Sequence, residues 1–436
     1  MPDNQSKTMK RRQFLKSSII GAATMAAPTI VPRSVFGSNA PSNRIVLGFI
    51  GCGKQSKHLL RAFMREHDTQ VVSLCDVDRL KLRRDLRIAQ SYYEEHGGTG
   101  GTGIQITEDY RELLERDDID AVVISTPDHW HGLHVIDAAE AGKDIYCEKP
   151  LAHNIEEGKA MVRVVRRNNR VFQTGSMQRS DAKFRHACEL VRNGYIGDVK
   201  HVAVNIGGPP QPCDLPPMPV PDYLKWDMWL GPAPQRPYHS ELSPHLSNDI
   251  FPHWRDYREF GGGGMTDWGA HHFDIAQWGL GMDGSGPVQV IPPDGNAIKE
   301  LTYFYENGIT MTRTSEFDGI KVNGLIFIGS EGKVMVNRGF LKTWPSDLVT
   351  QKIAPEEIHL YKSENHYGDF LDAVRSRQKP ICDIKVGNST VIVCLMGNIA
   401  YELGRPLDFD QQSQRFVNDD EANKLMGRPM REGWRI

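Results

Sequence analysis

The stretch Ile45-Val46-Leu47-Gly48-Phe49-Ile50-Gly51-Cys52-Gly53-Lys54-Gln55-Ser56 decides the fold. Its unbroken apolar run reads as a strand buried on both faces. Two glycines follow, and then a helix-like segment from Lys57 to Glu66. Strand, glycine turn and helix in that order nearly match the dinucleotide-binding fingerprint. The first glycine makes the tight turn and the second lets a pyrophosphate approach the backbone. The third position normally holds Gly or Ala for close helix packing, and here it is Ser56. A second strand-like run, Gln70–Asp76, ends in an acid about 20 residues on. A carboxylate there accepts hydrogen bonds from ribose hydroxyls and repels a 2′-phosphate. Asp76 therefore favours NAD, while Arg79, Lys81, Arg83 and Arg84 just downstream keep NADP open.

Outward from this unit the alternation continues. Ile119–Ser125 and Asp144–Cys147 read as further strands, with helix-like Glu108–Glu115 and His131–Ala141 between them. Such a pattern implies right-handed crossovers and an α/β fold, a Rossmann doubly wound parallel sheet. Gly97–Gly103 reads as a flexible surface loop. After Gly175 the alternation stops. Asp198–Asn205 reads as a strand, and a loop follows whose prolines between Pro209 and Pro221 forbid regular structure. Leu301–Glu306 and Ile309–Glu316 flank Asn307-Gly308, a strong hairpin signal. Leu325–Gly329 and Lys333–Asn337 form another pair, and helix-like 366–377 and 388–403 close the region. The expectation is a C-terminal α+β domain with an open, mostly antiparallel sheet. The divisions are 1–40, a signal and linker; 41–175, the nucleotide-binding domain; and 176–436, a substrate-binding and oligomerisation domain. The tail beyond Pro406 is polar and uninformative.

Composition excludes several classes. The 436 residues are 39% hydrophobic and 25% charged, which suits a globular chain. A net charge of −3 supplies no basic excess for nucleic acid. The seven cysteines form no CxxC pair and read as buried free thiols. At the N-terminus, Lys10-Arg11-Arg12-Gln13-Phe14-Leu15-Lys16 precedes a short apolar stretch. This is signal-peptide grammar, and its paired arginines resemble a twin-arginine export signal. The stretch is shorter than the ~20 residues that span a bilayer, so no membrane span is expected. The chain is expected to use the Tat export machinery and to work in the periplasm.

Ligands of open parallel sheets sit beyond the carboxyl ends of the strands. Two segments occupy such ends: Ser125-Thr126-Pro127-Asp128-His129-Trp130-His131 and Cys147-Glu148-Lys149-Pro150. A third segment runs Gly261-Gly262-Gly263-Gly264-Met265-Thr266-Asp267-Trp268-Gly269-Ala270-His271-His272-Phe273-Asp274. With the glycine fingerprint, these resemble the Gfo/Idh/MocA oxidoreductase family, from about Arg44 to Pro406. The Glu-Lys-Pro tripeptide is the most specific mark. The resemblance implies a catalytic set of Lys149, Asp267 and His271. It implies cofactor contacts from Gly51, Gly53, Lys54, Gln55, Ser56 and Asp76, and from Thr126, Pro127, His131 and Glu148. It also implies a cis Lys149–Pro150 bond, and a homo-oligomer, dimer or tetramer, joined through the open sheet.

Oxidation of a secondary alcohol needs a hydride acceptor and a proton acceptor. A histidine suits the second task, and His271 is the expected general base. On an unbroken helix, Asp267 and Asp274 would flank it at i−4 and i+3. Asp267 would then hold the imidazole or anchor substrate, and Asp274 would orient it or bind a substrate hydroxyl. Lys149 would donate to the reacting oxygen. Gln178, Arg179, Trp254 and Arg255 complete the expected substrate contacts, with His366 nearby. His129, His131 and His134 look like a metal cluster, but hydride chemistry needs no metal, and none is expected. The leading reading is an exported NAD-dependent dehydrogenase of a sugar, glycoside or cyclic polyol, holding its NAD tightly. A second reading is an NAD-dependent glycosidase that works by transient oxidation and elimination. One hydrolytic branch replaces the Glu-Lys-Pro lysine, and Lys149 leans away from it. A third is a non-catalytic sugar-binding module.

Overall fold

Six strands form a wholly parallel sheet: β1 (Ile45–Ile50), β2 (Thr69–Cys75), β3 (Gln105–Thr107), β4 (Ala121–Ile124), β5 (Asp144–Cys147) and β6 (Phe172–Thr174). Their spatial order is β3-β2-β1-β4-β5-β6, so the order reverses next to β1. In this computed structural model the described residues are 44–96, 101 and 103–436. The signal at 1–40 and most of the 97–103 loop lie outside them. The strands are short; β1, β4, β5 and β6 are almost wholly buried, as expected of a sheet covered on both faces, while the edge strand β3 has no buried residue. Helix Ser56–Arg65 buries Leu59, Leu60, Phe63 and Met64 against one face. Helices Asp128–Glu140 and Ile155–Arg167 cover the other.

The second sheet is larger. Its strands are β7 (Val199–Val204), β8 (Gln289–Ile291), β9 (Thr302–Phe304), β10 (Thr310–Arg313), β13 (Leu325–Gly329), β14 (Lys333–Asn337), β15 (Phe340–Trp344), β16 (Leu407–Asp410) and β17 (Arg415–Phe416). A separate two-stranded ribbon pairs β11 (Glu316–Phe317) with β12 (Ile320–Lys321). The nine strands run β15-β14-β13-β7-β10-β9-β8-β16-β17. Only β7 and β10 pair in parallel. The β9–β10 hairpin turns at Gly308, whose φ of 83° suits the residue before the returning strand.

The first sheet ends at Thr174 and the second begins at Val199. The chain later returns to the first sheet. Phe370, Leu371 and Ala373 of helix His366–Ser376 pack into the cluster formed by Phe63 and Tyr146. Helix Ile384–Leu403 is long and apolar enough to cross a membrane, but 78% of its apolar window is buried inside the protein. It is a core helix. All seven cysteines are free, and six are buried.

The tail beyond Pro406, uninformative as sequence, is ordered into the second sheet. It supplies β16 and β17 and buries Phe409, Phe416 and Met426. Its Arg428 pairs with the buried Glu157 at 2.8 Å. Polar composition hid this because the few apolar residues are spaced to one side of short strands, between exposed charges.

Candidate active site

Gly51 sits at the end of β1 with φ of 92°. A Cβ there would lie 2.8 Å from the backbone of Ser125 and Thr126, so only glycine fits the turn. Gly53 differs: a Cβ built on it meets nothing within 4 Å. The protein itself does not require that glycine, and the free space is what an approaching pyrophosphate would use. The residues present therefore fit a bound dinucleotide. Gly51, Gly53, Lys54, Gln55, Asp76, Thr126 and Pro127 all line one cavity of about 1080 Å³, open to solvent, beyond the ends of β1, β2 and β4.

Asp76 accepts from the Cys52 amide at 2.6 Å and the Asp78 amide at 2.7 Å. These bonds aim its carboxylate into the cavity beside the glycine turn. Three of the four downstream cations are engaged within the protein, and the fourth, Arg83, is exposed. Arg84 donates to the carbonyls of Cys52 (2.6 Å) and Gly53 (2.8 Å) and braces the turn. Lys81 pairs with Asp78 at 3.0 Å, and Arg79 donates to the Asp222 carbonyl. These bonds occupy Arg79, Lys81 and Arg84, and the Asp76 carboxylate beside the glycine turn favours NAD, while the exposed Arg83 leaves NADP open.

Three expected cofactor contacts, Ser56, His131 and Glu148, do not line this cavity. Ser56 is fully buried and donates to Asp85 at 2.7 Å. Its hydroxyl fastens the helix start to the neighbouring helix, which explains a serine at the third fingerprint position. Burial pushes Asp85 up to about 6. His131 stands behind the cavity wall. Its ring nitrogens lie 3.0 Å from the Thr126 carbonyl and 2.8 Å from the Pro150 carbonyl. It sits between the two motif loops; burial lowers it to about 4, so the neutral ring donates to one of these carbonyls. The cavity is lined instead by Trp130 and His134, stacked at 4.5 Å. Glu148 is buried and accepts from the Gln55 amide at 3.1 Å.

The far wall of the cavity is the segment 242–252, which the sequence did not single out. Lys57 pairs with Asp249 at 2.5 Å. Lys54 donates to the Asp249 carbonyl, and Lys81 donates to Ser243 at 2.9 Å. The segment is thus strapped to the glycine turn and to the helix after β2. Replacing Asp249 by alanine is expected to speed nucleotide release about two- to fivefold, the scale of one exposed ion pair. Stopped-flow fluorescence of displaced nucleotide checks this; an unchanged rate would mean the strap does not hold the cofactor.

The tripeptide at the end of β5 lies next to this cavity. The Lys149–Pro150 bond is cis. Lys149 Nζ donates to Asp267 Oδ1 at 2.6 Å and to the Asp267 carbonyl at 2.9 Å. Arg255 Nε stands 3.6 Å from the same carboxylate. Burial alone would raise the Asp267 carboxyl, but the Lys149 ammonium and the Arg255 guanidinium outweigh it and hold it below the usual carboxylate range. Trp254 is buried, and the Arg255 guanidinium lies 4.2 Å over its ring. Both residues also line the nucleotide cavity.

The expected pairing of Asp267 with His271 does not form. Helix Gly263–Asp267 and helix Gly269–Leu280 are separate, with Trp268 between them. The i, i+4 spacing therefore does not bring the two side chains together, and the Lys149 ammonium takes the carboxylate. His271 is buried, and its Nδ1 has no hydrogen-bond partner. Burial, followed by the nearby Lys149 and Arg338 charges, drives its pKa well below the ordinary histidine value. The ring is neutral at physiological pH.

Arg179 and Asp274, expected as substrate contacts, are instead a buried ion pair. Arg179 Nε and Nη2 donate to the two Asp274 oxygens at 2.8 and 2.9 Å. Asp283 takes Nη1 and Nη2 at 2.7 and 2.6 Å, and Thr390 donates to Asp274 at 2.9 Å. Both side chains are buried, and each of their polar atoms is already bonded within the protein. Asp274 consequently does not orient His271. His366 is similarly spent, its ring nitrogens lying 2.8 Å from the Ser180 hydroxyl and 3.1 Å from the Thr174 carbonyl.

Two family models cover most of the chain. One, described as oxidoreductase family, NAD-binding Rossmann fold, matches residues 45–176. The other, described as oxidoreductase family, C-terminal alpha/beta domain, matches residues 211–436. The chain belongs to the Gfo/Idh/MocA oxidoreductase family. Its match therefore runs through the tail to Ile436. Among Gfo/Idh/MocA relatives, glycosyl hydrolase family 109 protein 2 of Shewanella sp. (strain ANA-3) is 30% identical over 208 residues, 44% of each chain. The uncharacterized oxidoreductase YrbE of Bacillus subtilis is 30% identical over 174 residues, 40% of this chain and 47% of that one. The chain's match thus spans less than half the length of these curated relatives. An aldose–aldose oxidoreductase from Caulobacter crescentus, crystallised with glycerol, superposes with a TM-score of 0.57 at 19% identity, over 84% of this chain and 100% of that one. The WlbA dehydrogenase of Bordetella pertussis, in complex with NADH and UDP-GlcNAcA, also gives 0.57, at 17% identity, over 84% and 98%. These likenesses speak for the Gfo/Idh/MocA fold.

Proposed function

We propose that this oxidoreductase oxidises a secondary hydroxyl of a sugar, glycoside or cyclic polyol with tightly held NAD, after Tat-dependent export to the periplasm. One observation carries the reaction: an ammonium fixed by a carboxylate at 2.6 Å, close to a buried neutral imidazole and next to a dinucleotide cavity. The sugar class is supported by the aldose–aldose oxidoreductase and UDP-sugar dehydrogenase among the structural neighbours. Nicotinamide dinucleotide, when bound, supplies the hydride acceptor. Lys149 donates a hydrogen bond to the reacting oxygen and offsets the negative charge that develops there. Asp267 positions that ammonium through two hydrogen bonds. His271 accepts the hydroxyl proton. An imidazole of such low basicity needs an acidified hydroxyl, and Lys149 provides it.

The pH dependence follows. The His271 pKa is depressed, so the accepting form persists as pH falls through the ordinary histidine value. The acid limb of kcat/KM is expected below pH 6.5. An acid limb at or above that value would remove His271 from the role.

The test begins with protein purified without added nucleotide. Released nucleotide is identified by mass, and nicotinamide absorbance is followed across sugars, glycosides and inositols. Reduction by one class supports the dehydrogenase. The glycosyl hydrolase relatives favour a second reading, net cleavage of a glycoside on NAD. Glycoside cleavage with no accumulating NADH would select it over the first. Absence of any retained nucleotide, with no response to added NAD or NADP, would overturn both.

A further inference from the structure

The hairpin between β14 and β15 turns on Arg338-Gly339, Gly339 having a φ of 69°. Arg338 is exposed, and its guanidinium lies 5.0 Å over the ring of Trp268. Trp268 stacks on His272 at 5.6 Å and sits 6.0 Å from the His271 ring. Arg338 Nε donates to the Gln178 amide oxygen at 3.2 Å, and the Gln178 amide nitrogen donates to the His271 carbonyl at 3.0 Å, in the amide orientation that satisfies both. The second sheet thus delivers a guanidinium to the edge of the Lys149–His271 site and fixes it on an aromatic platform. No carboxylate among the described residues pairs with it.

The rest of the site does not neutralise it. Lys149, Arg255 and Arg338 are the cations. Asp267 is shared by the first two, at 2.6 and 3.6 Å. Asp128 lies near Lys149 and Arg255, and burial raises it to about 8, so it is protonated at neutral pH. Glu148 is buried behind Lys149. His271 and His272 are both held neutral by burial. Even with Glu148 ionised, three cations face two carboxylates. A positive excess with one unpaired fork of donors is built for an anion, because a guanidinium matches carboxylate and phosphate oxygens bidentately.

Resting on the dehydrogenase reading, we propose that the substrate is an anionic sugar whose carboxylate or phosphate is bound by Arg338. The test is titration calorimetry on the full chain loaded with NADH, so that no turnover occurs. D-glucuronate, D-glucose 6-phosphate and D-glucose are the probes. At least one anion is expected to bind tenfold or more tightly than glucose, the scale of one charge-assisted hydrogen bond. The tighter anion tells carboxylate from phosphate. Arg338→Gln is expected to erase the difference, and Arg338→Lys to keep part of it, with unfolding midpoints unchanged. Glucose binding as well as both anions, no heat from any probe, or an undiminished preference in Arg338→Gln would overturn the proposal. Anion binding through Arg338 without any reduction of added NAD would leave the Arg338 anion site standing but sink the dehydrogenase, and with it the anion's role as substrate. Reduction of NAD by neutral sugars as readily as by acidic ones would do the reverse.

Discussion

Lys149→Ala is expected to lower kcat/KM by roughly 10²–10³-fold, the cost of removing one preorganised donor to a developing oxyanion. The loss should fall on kcat more than on KM, because the ammonium's contribution grows as the hydroxyl gives up its proton. Nucleotide retention should be unchanged, since the cavity wall is built from the glycine turn, Asp76 and the 242–252 strap. The variant also frees Asp267, which keeps Arg255 at 3.6 Å. Asp267→Asn makes the complementary measurement. It leaves the ammonium present but weakly held, so a smaller loss of about tenfold is expected. Steady-state kinetics and the mass of retained nucleotide decide the matter together. A Lys149→Ala enzyme within tenfold of the parent would remove Lys149 from the chemistry. Equal losses in both variants would instead mean that the pair acts as one unit.

The parts of this site legible in the sequence are those in which a short stretch carries its own reason. Gly51 needs positive φ, Gly53 needs nothing on its open side, and Asp76 follows at the spacing that β1 and β2 impose. The Glu-Lys-Pro tripeptide sits at a strand end wherever β5 is placed. What the sequence hid depends on distant partners. The strap at 242–252 meets Lys54, Lys57 and Lys81 across the whole intervening chain, and no local pattern announces it. Arg338 reaches the site only because the β14–β15 hairpin ends there. The Asp267–His271 pairing failed for the opposite reason. The spacing suits one continuous helix, but the break at Trp268 and the charge of Lys149 decide where the carboxylate points.

Arg179 is the sharpest case of a residue whose position in sequence suggested ligand contact and whose surroundings say otherwise. An arginine cannot give up its proton inside a protein, so its burial demands matched charge. Asp274 and Asp283 supply it, with four short hydrogen bonds between them. Arg179→Met is therefore expected to destabilise the fold by about 3–5 kcal/mol, because Asp274 is left buried with Thr390 as its remaining donor. The double variant Arg179→Met/Asp274→Leu should recover most of that loss. It removes both buried charges, and Asp283, with a side chain 38% exposed, can return to water. Denaturant unfolding of the single and double variants measures the difference. A substrate contact would behave in the reverse way: Arg179→Met would raise KM, leave the unfolding midpoint in place, and gain nothing from Asp274→Leu. The geometry favours the first outcome, since every nitrogen of the buried guanidinium already donates to an acceptor within the protein.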